Sequence, residues 1–100
     1  MKLYKVEFLK SAKLDIQHAN TWYNLQRKNL GHKFISEIDE IHSRLESNPK
    51  QFPKIRKDIR KATLKRFPYC IFFIIKSNRV RIFAIFHNSR NPIIWKERLK

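Results

Sequence analysis

The spacing of hydrophobic residues changes along this chain, and the order of the changes restricts the folds that the chain can adopt. Residues Lys2–Phe8 alternate between polar and apolar side chains, as in a half-buried strand. Apolar residues then recur every three or four positions in two stretches, which predicts two amphipathic helices. Strand-like segments follow at Ile59–Phe67, Cys70–Ile75 and Val80–His87. The predicted order of elements is therefore β-α-α-β-β-β.

The two predicted helices are adjacent in the sequence. The first should take Ser11 as its N-cap and end near Lys28–Gly31, where the residues favour a turn. Its apolar residues at helical spacing are Ala12, Ile16, Ala19, Trp22, Tyr23 and Leu25. The second is marked by Phe34, Ile38, Ile41 and Leu45, and Asn48-Pro49 ends it. Because the link is short, we expect an antiparallel helical hairpin with Trp22 and Tyr23 in the core.

This order predicts a two-layer α+β domain in which the helical hairpin packs on an antiparallel sheet. A short C-terminal element, helix or strand, should follow at residues 93–99, and the 100 residues should form a single domain over 1–100. The alternation in the last long strand directs Val80, Ile82, Ala84 and Phe86 toward the helices. The opposite face should then present Lys61, Lys65, Arg81 and His87 together.

Positive charge is concentrated in the half of the chain that contains the predicted sheet. Residues 1–49 contain eight Lys/Arg and six Asp/Glu, whereas residues 50–100 contain fifteen and two. The halves therefore carry +2 and +13 of the total net charge of +15. Such an excess causes self-repulsion, so it favours a polyanionic partner: nucleic acid, an acidic protein segment or a membrane surface.

The composition also excludes several classes of site. The one glycine, Gly31, cannot form a glycine-rich phosphate loop, and the one cysteine, Cys70, cannot form an internal disulfide, which fits a reducing compartment. Asp58 and Glu97 are too few carboxylates in the basic half for a magnesium site. The N-terminal segment lacks a signal-peptide pattern, and the longest apolar run, Cys70–Ile75, is too short to span a membrane. We therefore expect a cytoplasmic protein without a metal, a small-molecule cofactor or membrane attachment.

Four segments of this chain occur in an order and spacing found in a known family. They are Ala19-x-x-Trp22-Tyr23, the stretch Ile59–Tyr69, the strand end Ile85-Phe-His87, and Ser89-Arg90-x-Pro92-x-x-Trp95. Together they resemble the RelE/ParE family of toxins from bacterial type II toxin–antitoxin pairs. The resemblance implies a small basic toxin that a co-encoded antitoxin holds inactive. RelE-like members cut messenger RNA in the ribosomal decoding site, whereas ParE-like members poison DNA gyrase, and the shared fold does not choose between them.

Metal-free RNA cleavage needs a base for the 2′-hydroxyl, cations for the phosphate and an acid for the leaving oxygen. His87 is the titratable candidate, and its alternative role is a hydrogen bond to the loop that follows. Arg90, three residues after His87, is expected to clamp a phosphate, or alternatively to order that loop or contact the antitoxin. Arg81 and Lys65 would join them across the sheet. The predicted catalytic set is therefore His87, Arg90, Arg81 and Lys65.

Five further residues are candidates for binding nucleic acid or the antitoxin: Arg60, Lys61, Arg66, Tyr69 and Trp95. Tyr69 is expected either to stack on a base or to pack half-buried, and Trp95 either to stack or to cover the sheet edge. One of Arg60 and Arg66 is alternatively expected to pair with a helix carboxylate such as Glu37 or Asp39.

Two functions from different classes follow. The first expectation is a ribosome-dependent ribonuclease acting on messenger RNA, because gyrase binding alone does not explain the basic, histidine-bearing sheet. The late catalytic tyrosine of RelE-like chains, however, has no counterpart after Tyr69. The long helical hairpin favours a non-catalytic gyrase inhibitor, so whether the protein is an enzyme stays open. In both cases the expected partner is an acidic antitoxin in a heteromeric complex. The third hypothesis is a family member that keeps the antitoxin contact and has lost toxicity.

Overall fold

The fold is known from a computed structural model that describes residues 3–89, and it consists of two layers. A helical hairpin lies on one side of a five-stranded sheet. The strands are β1 (Lys5–Phe8), β2 (Lys54–Arg56), β3 (Ile59–Thr63), β4 (Tyr69–Lys76) and β5 (Arg79–His87). The helices are α1 (Lys10–Gln26) and α2 (Leu30–Ser47), and a short 3₁₀ turn follows at Pro49–Gln51. The predicted two-layer α+β order is thus confirmed, and β2 is an additional strand that the sequence did not indicate.

The strands lie in the order β1-β5-β4-β3-β2. Strands β3, β4 and β5 form the predicted antiparallel meander, and β2 pairs antiparallel with β3 at its edge. Strand β1 instead pairs parallel with β5, so the sheet is mixed. The predicted C-terminal element at residues 93–99 lies outside the described residues.

The main core lies between the sheet and the two helices, and aromatic rings fill one end of it. Phe34 of α2 is fully buried, and its ring centroid lies 5.6 Å from Tyr23, 5.4 Å from Phe67 and 5.2 Å from Tyr69. Each such pair contributes about 0.5–1.5 kcal/mol beyond its buried area. The predicted inward positions of α2 and the inward residues Ala12, Ala19 and Tyr23 of α1 are all buried. Trp22 and Leu25, by contrast, are exposed, so the prediction that Trp22 belongs to the core is wrong.

A β-bulge in β5 changes which residues face the helices. Phe72 is level with Ala84 and Phe73 with Ile82, so β5 contains one extra residue, Phe83. An inserted residue inverts the alternation that follows it. Val80 and Ile82 face the helices as predicted. Ala84 and Phe86 face the other way, and Ile85 and His87 lie on the helix side, contrary to the prediction.

Two side chains of α1 hydrogen-bond to the backbone of this bulge. The hydroxyl of Ser11 donates to the carbonyl of Phe83 over 2.8 Å, and the N–H of Ile85 donates to the carboxylate of Asp15 over 3.0 Å. Ser11 is therefore not the N-cap, which is Leu9. Because buried backbone groups need partners, these contacts stabilise the bulge at the helix–sheet boundary.

Gly31 is required where the two helices approach each other. Its N–H donates to the side-chain carbonyl of Asn24 over 2.9 Å. A Cβ atom at this position would lie 2.7 Å from the backbone carbonyl of Asn20, closer than the two atoms can approach. The turn itself is made by Asn29, which has the left-handed φ of 66°. Gly31 therefore permits close helix packing, and it does not serve as the turn residue that the sequence suggested.

We expect Gly31→Ala to lower the free energy of unfolding by about 1–3 kcal/mol, because the methyl group forces α1 and α2 apart. Urea denaturation followed by circular dichroism measures the change. Ser43→Ala, at an exposed position of the same helix, is the control and should change stability by less than about 0.5 kcal/mol. Equal stability of the Gly31 variant and the control would contradict the close-packing role.

Candidate functional site

The four residues of the predicted catalytic set do not share one face of the sheet. His87 lies on the helix side at the end of β5, and Lys65 lies beside α2. Arg81 lies on the opposite face, next to Glu7 of β1. Arg90 lies outside the described residues. The predicted grouping of Lys61, Lys65, Arg81 and His87 is therefore wrong for Lys65 and His87, and it holds for Lys61 and Arg81.

His87 changes sides because of the bulge, and its ring is engaged by the chain that follows it. The ring packs edge-on against Tyr69 with centroids 5.2 Å apart. Its Nδ1 atom accepts the N–H of Ser89 over 3.1 Å and lies 2.7 Å from the Ser89 hydroxyl. Because Nδ1 is an acceptor, the neutral ring carries its proton on Nε2 and presents a donor there. This contact is the loop hydrogen bond predicted as the alternative role of His87.

Lys65 is directed away from the sheet face because β3 ends earlier than predicted. The strand stops at Thr63, and the carboxylate of Glu37 then accepts the N–H groups of Lys65 and Arg66 over 2.8 and 3.2 Å. The ammonium of Lys65 lies 3.7 Å from the carboxylate of Glu40. Glu37 thus fixes the chain reversal before β4. One alternative had predicted that a helix carboxylate would pair with the guanidinium group of Arg66, but Glu37 accepts the backbone N–H of that residue.

Arg60 is engaged within the fold. Its Nη1 atom donates to the carbonyl of Phe52 over 2.7 Å and to that of Lys50 over 3.3 Å. A second arginine, Arg44, donates to the side chain of Gln51 over 2.7 Å and stacks over the Phe52 ring at 4.7 Å. Both guanidinium groups therefore order the loop that connects α2 to β2. Binding of a partner by Arg60 stays a prediction.

A groove of about 610 Å³ lies between α1 and the adjacent ends of β4 and β5. Its lining includes His18, Trp22, Tyr23, Pro68, Tyr69 and His87. Tyr69 is half-buried and packs on Tyr23, which is the second of its two predicted roles; stacking on a base stays a prediction. Burial raises the pKa of the Tyr23 phenol, and the nearby Tyr69 adds to this shift. The phenol of Tyr23 therefore stays protonated at neutral pH.

An exposed apolar stripe runs along α1 beside this groove. Leu14, Trp22 and Leu25 have 44%, 55% and 78% of their surface exposed. Together with His18 they follow the i, i+4, i+8, i+11 spacing of one helix face. Large exposed apolar residues that share one helix face mark an interaction site more often than scattered ones do.

The comparisons with known proteins agree with this architecture. The family model described as the ParE toxin of the type II toxin–antitoxin system, parDE, matches residues 6–92. The chain belongs to the ParE toxin family. Comparison with curated proteins gives no match.

Solved structures of ParE-like and RelE-like toxins share the fold of this ParE-family chain. The chromosomal ParDE system from P. aeruginosa aligns with a TM-score of 0.75 at 20% identity, covering 85% of this chain and 96% of that one. The RelBE2 toxin–antitoxin complex from Mycobacterium tuberculosis aligns with a TM-score of 0.62 at 18% identity, covering 84% and 96%. At these identities the likeness establishes the fold.

Metal and membrane features are not found in the part of this ParE-family chain that the structure describes. Between residues 3 and 89, no cluster of three His, Cys, Asp or Glu side chains is arranged to hold a metal ion. Neither described helix is long and apolar enough to cross a membrane. Cys70 is buried, and its thiol donates to the side chain of Asn88 over 2.9 Å, as expected of a structural cysteine. Trp95 lies outside the described residues.

Two residues that shape these surfaces have roles other than those predicted from the sequence. Glu37 acts on backbone groups 28 and 29 positions later, and a carboxylate on an amphipathic helix gives no sequence signal for such a contact. Trp22 did carry a signal. It lies on a line with Leu14, His18 and Leu25 that is displaced around the helix from the buried line of Ala12, Ala19 and Tyr23. Because a surface helix buries one apolar stripe against the core, a second apolar line displaced around the helix indicates an exposed apolar face.

Proposed function

We propose that this ParE-family toxin arrests growth by binding a protein target, DNA gyrase as the family resemblance implies, without cleaving RNA. The observation that carries the proposal is the separation of the predicted catalytic groups. Lys65 and His87 lie on the helix side of the sheet and Arg81 on the other side. General acid–base cleavage requires these groups to converge on one phosphate.

The geometry of His87 also favours binding over catalysis. With Nδ1 accepting the N–H of Ser89, the exposed Nε2 atom of the neutral ring is a hydrogen-bond donor. A general base needs a free nitrogen lone pair directed at the substrate hydroxyl. A donor is suited to a carbonyl or carboxylate of a bound protein.

The stripe on α1 provides a surface for the target. Trp22 lies at the mouth of the groove, and tryptophan is among the residues that contribute most binding free energy at protein interfaces. Leu14 and Leu25 extend the apolar surface on either side. The surface therefore combines an aromatic anchor, an apolar surround and a groove lined by histidines.

The toxin is held inactive by an acidic antitoxin in a heteromeric complex. The structural neighbours are a ParDE toxin–antitoxin system and a RelBE2 toxin–antitoxin complex. The net charge of +15 suits an acidic antitoxin, because complementary charge accelerates association and suppresses wrong partners. Toxin and antitoxin would meet in the cytoplasm, where gyrase also acts.

Ribosome-dependent cleavage of messenger RNA is the second candidate function, and Lys61 and Arg81 on the sheet face away from the helices favour it. A translation reaction on a defined message, with purified chain added, distinguishes the two. Reverse-transcription mapping of the RNA ends should find the message intact at excess protein. New ends in phase with codons, appearing only when ribosomes are present, would contradict the proposal.

We expect His87→Asn to weaken growth arrest by less than about tenfold, because His87 does not act as a general base in the proposed function. Loss of a catalytic general base would instead cost about 10²–10⁴-fold. Asparagine keeps a polar group of similar reach without a titratable ring. The measurement is the inducer concentration that halves the growth rate, with thermal melting as the folding control. Complete loss of arrest from a variant that melts like the parent would support a catalytic histidine instead.

A further inference from the structure

A basic patch covers one end of the sheet face that lies away from the helices. We call it the basic sheet face, and its residues are Lys5, Lys61, Lys76, Arg79 and Arg81. The strand order places β1, β5, β4 and β3 side by side, and the registers bring Lys5 level with Arg79 and Lys76. Among residues 3–89, the one carboxylate on this face is Glu7. We infer that the basic sheet face binds the phosphate backbone of duplex DNA.

The dimensions of the patch suit a polyanion. Adjacent strands lie about 4.8 Å apart and residues rise about 3.3 Å along a strand, so the five cations occupy about 14 by 13 Å. A duplex carries one negative charge per about 1.7 Å of its axis, so a patch of this size meets several phosphates at once. Because β-strands hold the backbone at fixed spacing, only the side-chain rotamers have to be ordered on binding.

Glu7 orients the two arginines of the patch. Its carboxylate contacts the Nη1 atom of Arg79 and lies 3.8 Å from the Nε atom of Arg81. The arginine side chains keep 54% and 42% of their surface exposed. Each guanidinium has five N–H donors, so one shared carboxylate leaves donors free for the bidentate phosphate contacts that arginine favours.

Among residues 3–89, the centre of this face offers neither an exposed aromatic ring nor an unpaired strand edge. Phe72, Phe83 and Phe86 lie on it, but all three are buried, so their rings offer no platform for unpaired bases. The backbone groups of β4 and β5 are already paired within the sheet, so an acidic peptide cannot add to them as a strand. What the face presents is positive charge at regular spacing, which matches the backbone of a duplex. The choice of DNA over RNA rests on the proposed function, whose target enzyme acts on DNA.

The test is a fluorescence-anisotropy titration of a labelled, mixed-sequence DNA duplex with the purified chain over a series of salt concentrations. Arg79→Gln with Arg81→Gln should make the negative slope of log affinity against log salt shallower by about two and lower the affinity by about tenfold. Lys61→Gln with Lys76→Gln, which leaves the contacts of Glu7 in place, should do the same. The matched control is Arg27→Gln with Lys28→Gln at the hairpin turn, which removes the same charge and should change affinity by less than about twofold.

Equal weakening by the control and the test variants would overturn the inference, because net charge alone would then explain binding. Tighter binding of a single strand or of a polyglutamate peptide than of the duplex, lost in the same variants, would also overturn it. Inhibition of gyrase by a chain that does not bind duplex DNA would refute this inference and leave the proposed function intact. Duplex binding by the basic sheet face without any effect on gyrase would refute the proposed function and leave this inference intact.

Discussion

Trp22→Glu combined with Leu25→Glu should abolish growth arrest and leave the domain folded. Both side chains are exposed on α1, so the substitutions introduce charge without entering the core. Truncating an anchor residue at an interface costs about 2–4 kcal/mol, so losing two weakens binding of the target by about 10³-fold or more. Growth on induction measures the effect, and the thermal midpoint of the purified variant reports its folding.

A control with the same added charge is Gln17→Glu with Ser43→Glu, at exposed positions outside the apolar stripe. It should arrest growth as the parent does. Full arrest by the Trp22 and Leu25 variant would show that α1 does not contact the target, and it would remove the structural basis for the proposed binding mode.

Phe34→Ala should lower the free energy of unfolding by about 3–5 kcal/mol. Phe34 is fully buried and packs against Tyr23, Phe67 and Tyr69, so truncation leaves a cavity where both helices meet the end of the sheet. Domains of this size are stable by about 5–15 kcal/mol, so a large part of the stability is lost. Urea denaturation followed by circular dichroism measures the change.

The exposed residue Leu25 provides the comparison for this prediction. Leu25→Ala should change the free energy of unfolding by less than about 0.5 kcal/mol, because its side chain contributes little to the core. A loss of less than about 1 kcal/mol for Phe34→Ala would mean that the aromatic cluster is not central to the core.

Periodicity predicted the elements whose pattern is local. The inward residues of both helices and of β1 follow from spacings of three to four and of two, and hydrophobic burial enforces both. The bulge in β5 could not be predicted in this way, since it depends on Ser11 and Asp15 of a helix 70 or more residues earlier in the chain. One inserted residue then moved Ile85 and His87 to the helix side.

The candidate site was harder to predict than the fold for the same reason. Lys65 was assigned to a strand that ends two residues before it, because Glu37 draws the chain toward α2. Arg81 and Lys61 precede these departures from regular geometry, and their predicted shared face is confirmed. Errors of this kind arise wherever a side chain from a distant element forms a hydrogen bond with a backbone group, because local spacing carries no information about such a contact.

The most direct test of the central claim is DNA supercoiling by purified gyrase in the presence of the purified chain, of the Trp22 and Leu25 variant, and of its charge-matched control. We expect the parent and the control to inhibit supercoiling in the absence of ribosomes, and the variant to leave it unchanged. Unchanged supercoiling at excess parent protein, together with codon-phased cleavage of messenger RNA in a translation reaction, would contradict the central claim.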